Sequence, residues 1–211
     1  MIAALRVFGR AAVDLKDALF VLAGLNLLWT LLSLTLVLLP PATAAMFEAT
    51  HELVRGRAPE MREFLDAVRR HFVRAWAWAL VNVLAWVVLL ANLLFYGALR
   101  DVWAVALQAL FTGFAAFWLV SQFYVWPFVF EQAEMSLRWA LRNAVLTVFA
   151  APVFSLTLAA LGGLALVLSV LLVAPLVLAT TAFLCLVANH AVIDRLRAFQ
   201  KLPAPPPADA T

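Results

Sequence analysis

Four long stretches of the chain contain no charged residue. They run from Ala18 to Phe47, from Ala75 to Leu99, from Val102 to Phe130 and from Asn143 to Ile193. The hydrocarbon core of a bilayer is about 30 Å thick, so one spanning helix needs roughly 20 apolar residues. The first three stretches are each long enough for one such helix, and the fourth is long enough for two. The pattern predicts an all-α integral membrane protein with about five transmembrane helices.

The expected organisation has three parts. Residues 1–17 form an amphipathic N-terminal segment, residues 18–195 a single transmembrane domain, and residues 196–211 a disordered tail rich in proline and alanine. The expected spans are residues 18–39, 75–96, 103–126, 143–161 and 164–188. Pro40-Pro41 are predicted to end the first span, because proline lacks the N–H that continues a helix. Gly162-Gly163 are predicted to form the turn between the last two spans.

Composition excludes several classes of function. Hydrophobic residues make up 66% of the chain and charged residues 13%, against about 45–50% and about 25% in soluble domains. The arginines cluster at the edges of the spans and form no separate basic domain, which argues against a nucleic-acid partner. Cys185 is the only cysteine, so one chain contains neither a disulfide framework nor a thiolate metal site.

A second amphipathic segment covers residues 59–74. Its apolar stripe consists of Met61, Phe64, Leu65, Val68 and Phe72, with arginines on the opposite side. The pattern predicts a helix lying at the cytoplasmic interface, either near anionic headgroups or packed on the membrane domain. An ion pair between Asp66 and Arg70 is expected at the favourable i,i+4 spacing.

The N-terminal segment has a similar pattern. Its apolar stripe follows three- and four-residue spacing: Ile2, Leu5, Phe8, Ala12, Leu15 and Leu19. Such a helix lies in the membrane interface or is an ordinary solvated lead-in.

The distribution of basic residues predicts the orientation. With five spans, eleven Lys and Arg residues lie on one face and four on the other. The face with eleven is expected to be cytoplasmic. A re-entrant first segment is the alternative, and it would place both termini in the cytoplasm.

Ala42-Thr43-Ala44 looks like a signal-peptidase site, but the apolar run before it is longer than the usual ~7–15 residues, which favours an uncleaved span.

No catalytic, cofactor or metal site is predicted. Acidic residues are absent from the middle of the spans, and Glu131 and Glu134 stand just past the third, where Glu134 is expected to pair with Arg138. His51 and His190 each stand alone near a span end and His71 lies on the predicted surface helix, so all three are interpreted as interfacial residues rather than ligands. We therefore expect a protein that is not an enzyme.

Uncharged polar residues inside the spans allow two interpretations. Gln108 and Thr112 share one face of the third span, and Gln122 follows further along it. Such side chains commonly hydrogen-bond between membrane helices. The alternative is a polar route through a transporter, lined by these three residues.

Two sequence blocks resemble a known family. The first is Asn26-Leu27-Leu28-Trp29, and the second is the run from Leu39 to Phe47, which contains Pro40-Pro41-Ala42. An arginine-bearing helix that ends in His71-Phe72 follows. Together they resemble the YesL family, small bacterial membrane proteins of the DUF624 group. Pro40 stands where the family usually has glycine, and His71 where it often has asparagine.

The resemblance implies a role without naming a chemistry. Members are usually encoded beside carbohydrate ABC importers and glycoside-degrading enzymes, and no enzymatic activity is assigned to them. The implied protein is a multi-pass accessory component of the bacterial cytoplasmic membrane that binds an ABC permease or another membrane protein. The expected contact region is the Pro40-Pro41-Ala42 corner with the surface helix. The alternative is a small homo-oligomeric transporter or lipid-handling protein.

Overall fold

A computed structural model describes residues 2–99, 101–172 and 176–199, and these residues are predominantly helical. The helices are α1 (Ile2–Asp17), α2 (Leu19–Ser33), α3 (Leu39–Val54), α4 (Met61–Gly97), α5 (Val102–Phe130), α6 (Leu137–Ala150), α7 (Pro152–Leu172) and α8 (Thr181–Ala198). A short π-helical segment, Leu176–Thr180, precedes α8. The described ranges contain no strand, and the all-α class is confirmed.

Three of the described helices, α4, α5 and α7, are long and apolar enough to cross a membrane. Helices α1 and α2 meet this criterion only as a pair, and they are bent by 93° at the break between them. The described residues therefore offer three spans, or four if the bent pair counts as one, which is fewer than the five expected. The membrane class follows from these helices.

The first expected span is broken. Helix α2 has 15 residues, which is about 22 Å at 1.5 Å per residue and short of a hydrocarbon core of about 30 Å. The chain turns after it, with Leu36 at a φ of 55°. Pro40 and Pro41 do not end a span, as was predicted, but occupy the first turn of α3, where a missing N–H costs no helical hydrogen bond. Helices α2 and α3 form a hairpin, which is the shape of the re-entrant alternative.

The predicted surface helix and the second span are one helix of 37 residues, α4. No proline or glycine separates the two segments, so the helix continues across the boundary. Phe64 and Val68 of the predicted stripe are buried, whereas Met61, Leu65 and Phe72 are exposed. The buried face also contains small residues that the hydrophobic pattern did not single out.

The last expected spans are divided at a different place. Helix α6 ends at Ala150, and Pro152 begins α7 instead of lying inside a span. Gly162 and Gly163 lie within α7 and form no turn. A Cβ atom on Gly162 would stand 3.0 Å from Cζ of Phe123, so this glycine permits close packing. Pro175, expected inside the fifth span, lies outside the described residues.

The expected pair of Glu134 with Arg138 does not appear among the ion pairs of the described ranges. The physical reason is that Glu134 lies in the turn before α6, which begins at Leu137. The i,i+4 geometry requires both residues to be in one helix.

Helix α1 packs on the protein through small residues that are not part of its apolar stripe. Its buried residues are Ala4, Val7 and Ala11, whereas Ile2 and Leu5 are exposed. Small side chains allow helices to approach closely, and this face lies against α8.

Two further contacts hold α1 on α8. The rings of Phe8 and Phe183 meet edge to face with centroids 4.9 Å apart, and His190 Nε2 lies 2.6 Å from Asp14 Oδ2. Helix α8 extends to Ala198, so residues 196–198 are helical. The tail expected beyond them lies from residue 200 outside the described residues.

Candidate functional site

Helix α3 occupies the centre of the candidate site. Ala42, Ala45 and Ala49 are buried on it, and their three- and four-residue spacing places them on one face. Such small side chains permit close approach of a neighbouring helix. Between Ala45 and Ala49, α3 carries Glu48, which pairs with residues of α4.

Glu48 holds two residues of α4. His71 Nε2 lies 2.7 Å from Glu48 Oε2, and Arg70 Nη2 donates to Glu48 Oε1 at 2.6 Å. His71 Nδ1 lies 3.2 Å from Arg74 Nη1. A guanidinium only donates hydrogen bonds, so Nδ1 accepts and Nε2 carries the hydrogen that faces Glu48.

This arrangement corrects the interpretation of His71 as a surface residue. His71 is completely buried, and its ring stands edge to face against Phe130, with centroids 5.4 Å apart. Burial alone would raise the pKa of Glu48, but His71 and then Arg70 outweigh it, so the pKa lies below its ordinary value. Glu48 therefore remains a carboxylate that fixes α4 against α3.

A second polar cluster joins α3 to the end of α5. Glu131 Oε2 accepts from Arg55 Nη2 at 2.5 Å, while its other oxygen, Oε1, lies 3.7 Å from His51 Nδ1. That separation is too long for a hydrogen bond, and both atoms are buried without a hydrogen-bond partner. Burial lowers the pKa of His51 by more than the nearby Glu131 carboxylate raises it, which leaves the imidazole neutral at pH 7.

Helix α8 reaches the same region through Asn189. Its amide Nδ2 donates to the carbonyl of Phe47 at 3.1 Å and to Thr50 Oγ1 at 3.0 Å. The two polar clusters thus connect four helices, α3, α4, α5 and α8. Within the described ranges, no group of three or more His, Cys, Asp and Glu residues is placed to hold a metal ion.

His51 should make stability depend on pH. The unfolded chain takes up a proton near the ordinary histidine pKa of about 6.5, whereas the folded chain takes it up only at lower pH. Stability is therefore lost as the pH falls from about 6.5 to the folded pKa. We expect the thermal midpoint in detergent to fall over this window, and to fall less in His51→Gln.

The matched control for this experiment is His190→Gln, which removes a histidine from a different helix contact. It should leave the His51 component of the pH dependence in place. If the thermal midpoint depended on pH in the same way in the wild type and in His51→Gln, the pH dependence could not be assigned to His51.

A cavity of about 650 Å³ lies behind α3. Residues from α2, α3, α4, α5, α7, α8 and the end of the π-helical segment line it, including Trp29, Pro40, Phe47, Trp78, Trp126 and Cys185. Phe47 and Trp126 also border the polar clusters, because Asn189 binds the Phe47 carbonyl and Trp126 lies 6.5 Å from the His71 ring. The cavity and the two polar clusters therefore share a wall.

The residues of the sequence motifs mostly meet at this place. Asn26 is buried, and its Oδ1 accepts the N–H of Ala182 in α8 at 3.0 Å. Trp29 donates to Thr43 Oγ1 at 3.1 Å, and both residues line the cavity together with Pro40.

The remaining motif residues divide between core and surface. Pro41 and Ala42 are buried on α3. Phe72 is 37% exposed and belongs neither to the cavity lining nor to the polar clusters.

The three residues of the alternative polar route do not come together. Gln122 lines the cavity, whereas Gln108 packs on Gly97 and Thr112 is exposed, with its hydroxyl donating to the Gln108 carbonyl. Gln108 and Gln122 are about 21 Å apart along α5, at 1.5 Å per residue. Of the three, Gln122 alone lines the cavity.

Comparison with known proteins gives one match. The family model described as "Protein of unknown function, DUF624" matches residues 22–93. A search of curated proteins and a search of solved structures each found no match. The matched segment contains α3, most of α2 and nearly all of α4. The match covers both sequence motifs and the Glu48–His71 contact, and it confirms the resemblance to DUF624 over residues 22–93.

Proposed function

We propose that the chain is a non-enzymatic accessory protein of the bacterial cytoplasmic membrane that acts by binding another membrane protein. The transmembrane subunit of a carbohydrate ABC importer is the first candidate partner, because the resemblance to DUF624 implies that setting. The family match over residues 22–93 supports the resemblance.

The observation that carries the proposal is a polar cleft at the corner between α3 and the start of α4. The cleft has a volume of about 120 Å³. Its charged residues are five carboxylates and two arginines: Glu48, Glu52, Glu60, Glu63, Asp66, Arg57 and Arg70. The chain as a whole has a net charge of +3, so the corner is acidic on a basic protein.

Ion pairs fix the shape of this cleft. Arg57 pairs with Glu52 and, at 3.3 Å, with Glu63, which holds the connection between α3 and α4. Glu60 and Asp66 are exposed and have no ion-pair partner among the described residues. Exposed, unpaired carboxylates suit a basic segment of a partner, since complementary charge supports both the association rate and the register of binding.

The test is co-purification from native membranes in a mild detergent. We expect a stable partner with the wild type and its loss when Glu60→Lys and Asp66→Lys are combined. Glu134→Lys is the matched control, because Glu134 is an exposed carboxylate at another corner. Equal recovery with the double variant and the control would contradict the proposed contact, and recovery of only a second copy of the chain would replace the partner by a homo-oligomer.

The cavity favours a second candidate, a lipid-handling protein. A transporter with a polar route receives less support from the cavity, because only Gln122 of the three expected route residues lines it. The cavity wall is mainly aromatic and aliphatic, which suits an apolar ligand.

A further inference from the structure

We propose that the cavity behind α3 is a binding site for one hydrocarbon chain of a membrane lipid. The proposal supplies the ligand of the lipid-handling function and does not depend on the partner-binding role. Three features of the cavity carry it: the mainly apolar composition of its wall, its size, and the surroundings of the helices that form it.

Several polar side chains of the wall hydrogen-bond within the protein. Trp29 Nε1 donates to Thr43 Oγ1 at 3.1 Å, and that hydroxyl donates to the Leu39 carbonyl at 2.8 Å. Thr30 Oγ1 donates to a carbonyl of its own helix at 2.8 Å, and Gln122 Nε2 does so at 3.2 Å. Apolar cavities with few free polar groups stay dry, so water is a poor occupant of this one.

The same wall argues against a carbohydrate. A bound sugar needs hydrogen-bond partners for its hydroxyl groups, and burying hydroxyls without partners is unfavourable. Trp29, Trp78 and Trp126 line the cavity, and no charged residue is among the described residues that line it. The chemistry of the wall selects an apolar ligand.

The size of the cavity suits a ligand larger than a solvent molecule. Its 650 Å³ lies within the range of about 300–1,000 Å³ that is usual for small-molecule sites. An empty space of this size deprives the surrounding side chains of dispersion contacts, and an inserted alkyl chain restores them.

The helices around the cavity determine which apolar molecule is available. Wall residues come from α4, α5 and α7, the three described helices that are able to cross a membrane. The outer surface of α4 is apolar and open, with Leu80 62% exposed and Val83 60% exposed. The medium next to this surface is lipid hydrocarbon, so an acyl chain is the ligand that the membrane supplies.

The backbone of the wall is irregular at one place. The π-helical segment Leu176–Thr180 ends at the cavity, and Thr180 and Thr181 are part of the wall. Short π-helical turns occur frequently at functional sites. The irregularity supports a binding role for this wall over one of packing alone.

The first experiment counts bound lipid by native mass spectrometry. The protein is incorporated in nanodiscs of phosphatidylethanolamine and phosphatidylglycerol, extracted in mild detergent and washed. We expect the wild type to retain a single lipid and Ala79→Phe to lose occupancy by about tenfold, because the added ring occupies the cavity. Leu80→Phe is the matched control, since it enlarges the neighbouring residue on the exposed surface, and it should retain the lipid.

A second measurement protects the test against misfolding of Ala79→Phe. Vesicles of phosphatidylcholine with brominated chains quench tryptophans that the chains touch. Trp126 is 5% exposed and Trp103 is 56% exposed. Quenching of Trp126 therefore requires a lipid chain inside the protein, whereas quenching of Trp103 does not. Quenching that persists after transfer to non-brominated vesicles reports a brominated lipid retained by the protein. This persistent quenching should decrease in Trp126→Phe and remain in Trp103→Phe.

Equal lipid retention in Ala79→Phe and Leu80→Phe, or equal persistent quenching in the two tryptophan variants, would overturn the proposal. Neither outcome bears on partner capture, which depends on Glu60 and Asp66. Absence of any partner with the wild type, together with intact lipid retention, would contradict the accessory role alone.

Discussion

Replacement of Glu48 by leucine is expected to destabilise the protein by about 1–3 kcal/mol. His71 is completely buried, and without Glu48 its Nε2–H loses the acceptor at 2.7 Å. A buried polar group without a partner costs about 1–3 kcal/mol. Arg70 adds little, because its side chain is 52% exposed and exposed ion pairs contribute about 0–1 kcal/mol. The loss in free energy of unfolding is measured by SDS-induced unfolding in mixed micelles.

Two further variants define the cause of that loss. His71→Asn should cost less than Glu48→Leu, because an asparagine amide can still donate to Glu48, and asparagine often stands at this position in the family that the chain resembles. Asp66→Leu is the matched control on the same corner, since exposed sites of this kind usually change stability by less than about 0.5 kcal/mol. If Asp66→Leu were as damaging as Glu48→Leu, the buried contact with His71 would not explain the effect.

The helical class of the fold was predictable because it depends on composition alone. A stretch without charge that exceeds roughly 20 residues must satisfy its backbone internally in a bilayer, and a helix does so. The helix boundaries were less predictable. Pro40 was expected to end a span and Pro152 to lie inside one, but both lie in the first turn of a helix. Proline is favourable there and unfavourable inside, so a proline alone does not show on which side the helix lies.

The role of Gly162 was also ambiguous from the sequence. Glycine is typical of turns and also of close contacts between membrane helices. The ring of Phe123, which comes from α5, decides between these roles. Spacing within one segment carries no information about that neighbour.

The candidate site was predictable only in part. The motif residues Asn26, Trp29 and Pro40 were singled out and lie together, two of them in the cavity wall. The polar clusters were missed because their members are distant in sequence: Glu48 meets His71, and His51 faces Glu131. Each histidine was therefore interpreted alone, and a one-dimensional pattern cannot show which carboxylate from another helix lies opposite.

Replacement of Asn26 by leucine is expected to cost about 1–3 kcal/mol, the penalty for leaving a buried donor unpaired. Asn26 is fully buried on α2, and its Oδ1 accepts the N–H of Ala182 at 3.0 Å. This N–H belongs to the first turn of α8, where amides lack partners within their own helix. Leucine has a similar size but no acceptor, so the change removes the hydrogen bond with little change in volume.

The control for Asn26 is Asn92→Leu, because the Asn92 amide donates only to the Val88 carbonyl of its own helix, at 2.8 Å. In an apolar span this change should be neutral or stabilising. Thr180 and Thr181 next to the Asn26 contact belong to the cavity wall, so Asn26→Leu should also lower the retention of lipid in native mass spectrometry. A stable Asn26→Leu variant that keeps its lipid would show that the motif asparagine neither fixes the start of α8 nor supports the cavity. The expected loss of both would mean that the first sequence motif acts on the cavity through the backbone of α8, while Trp29 in the same motif forms the wall directly.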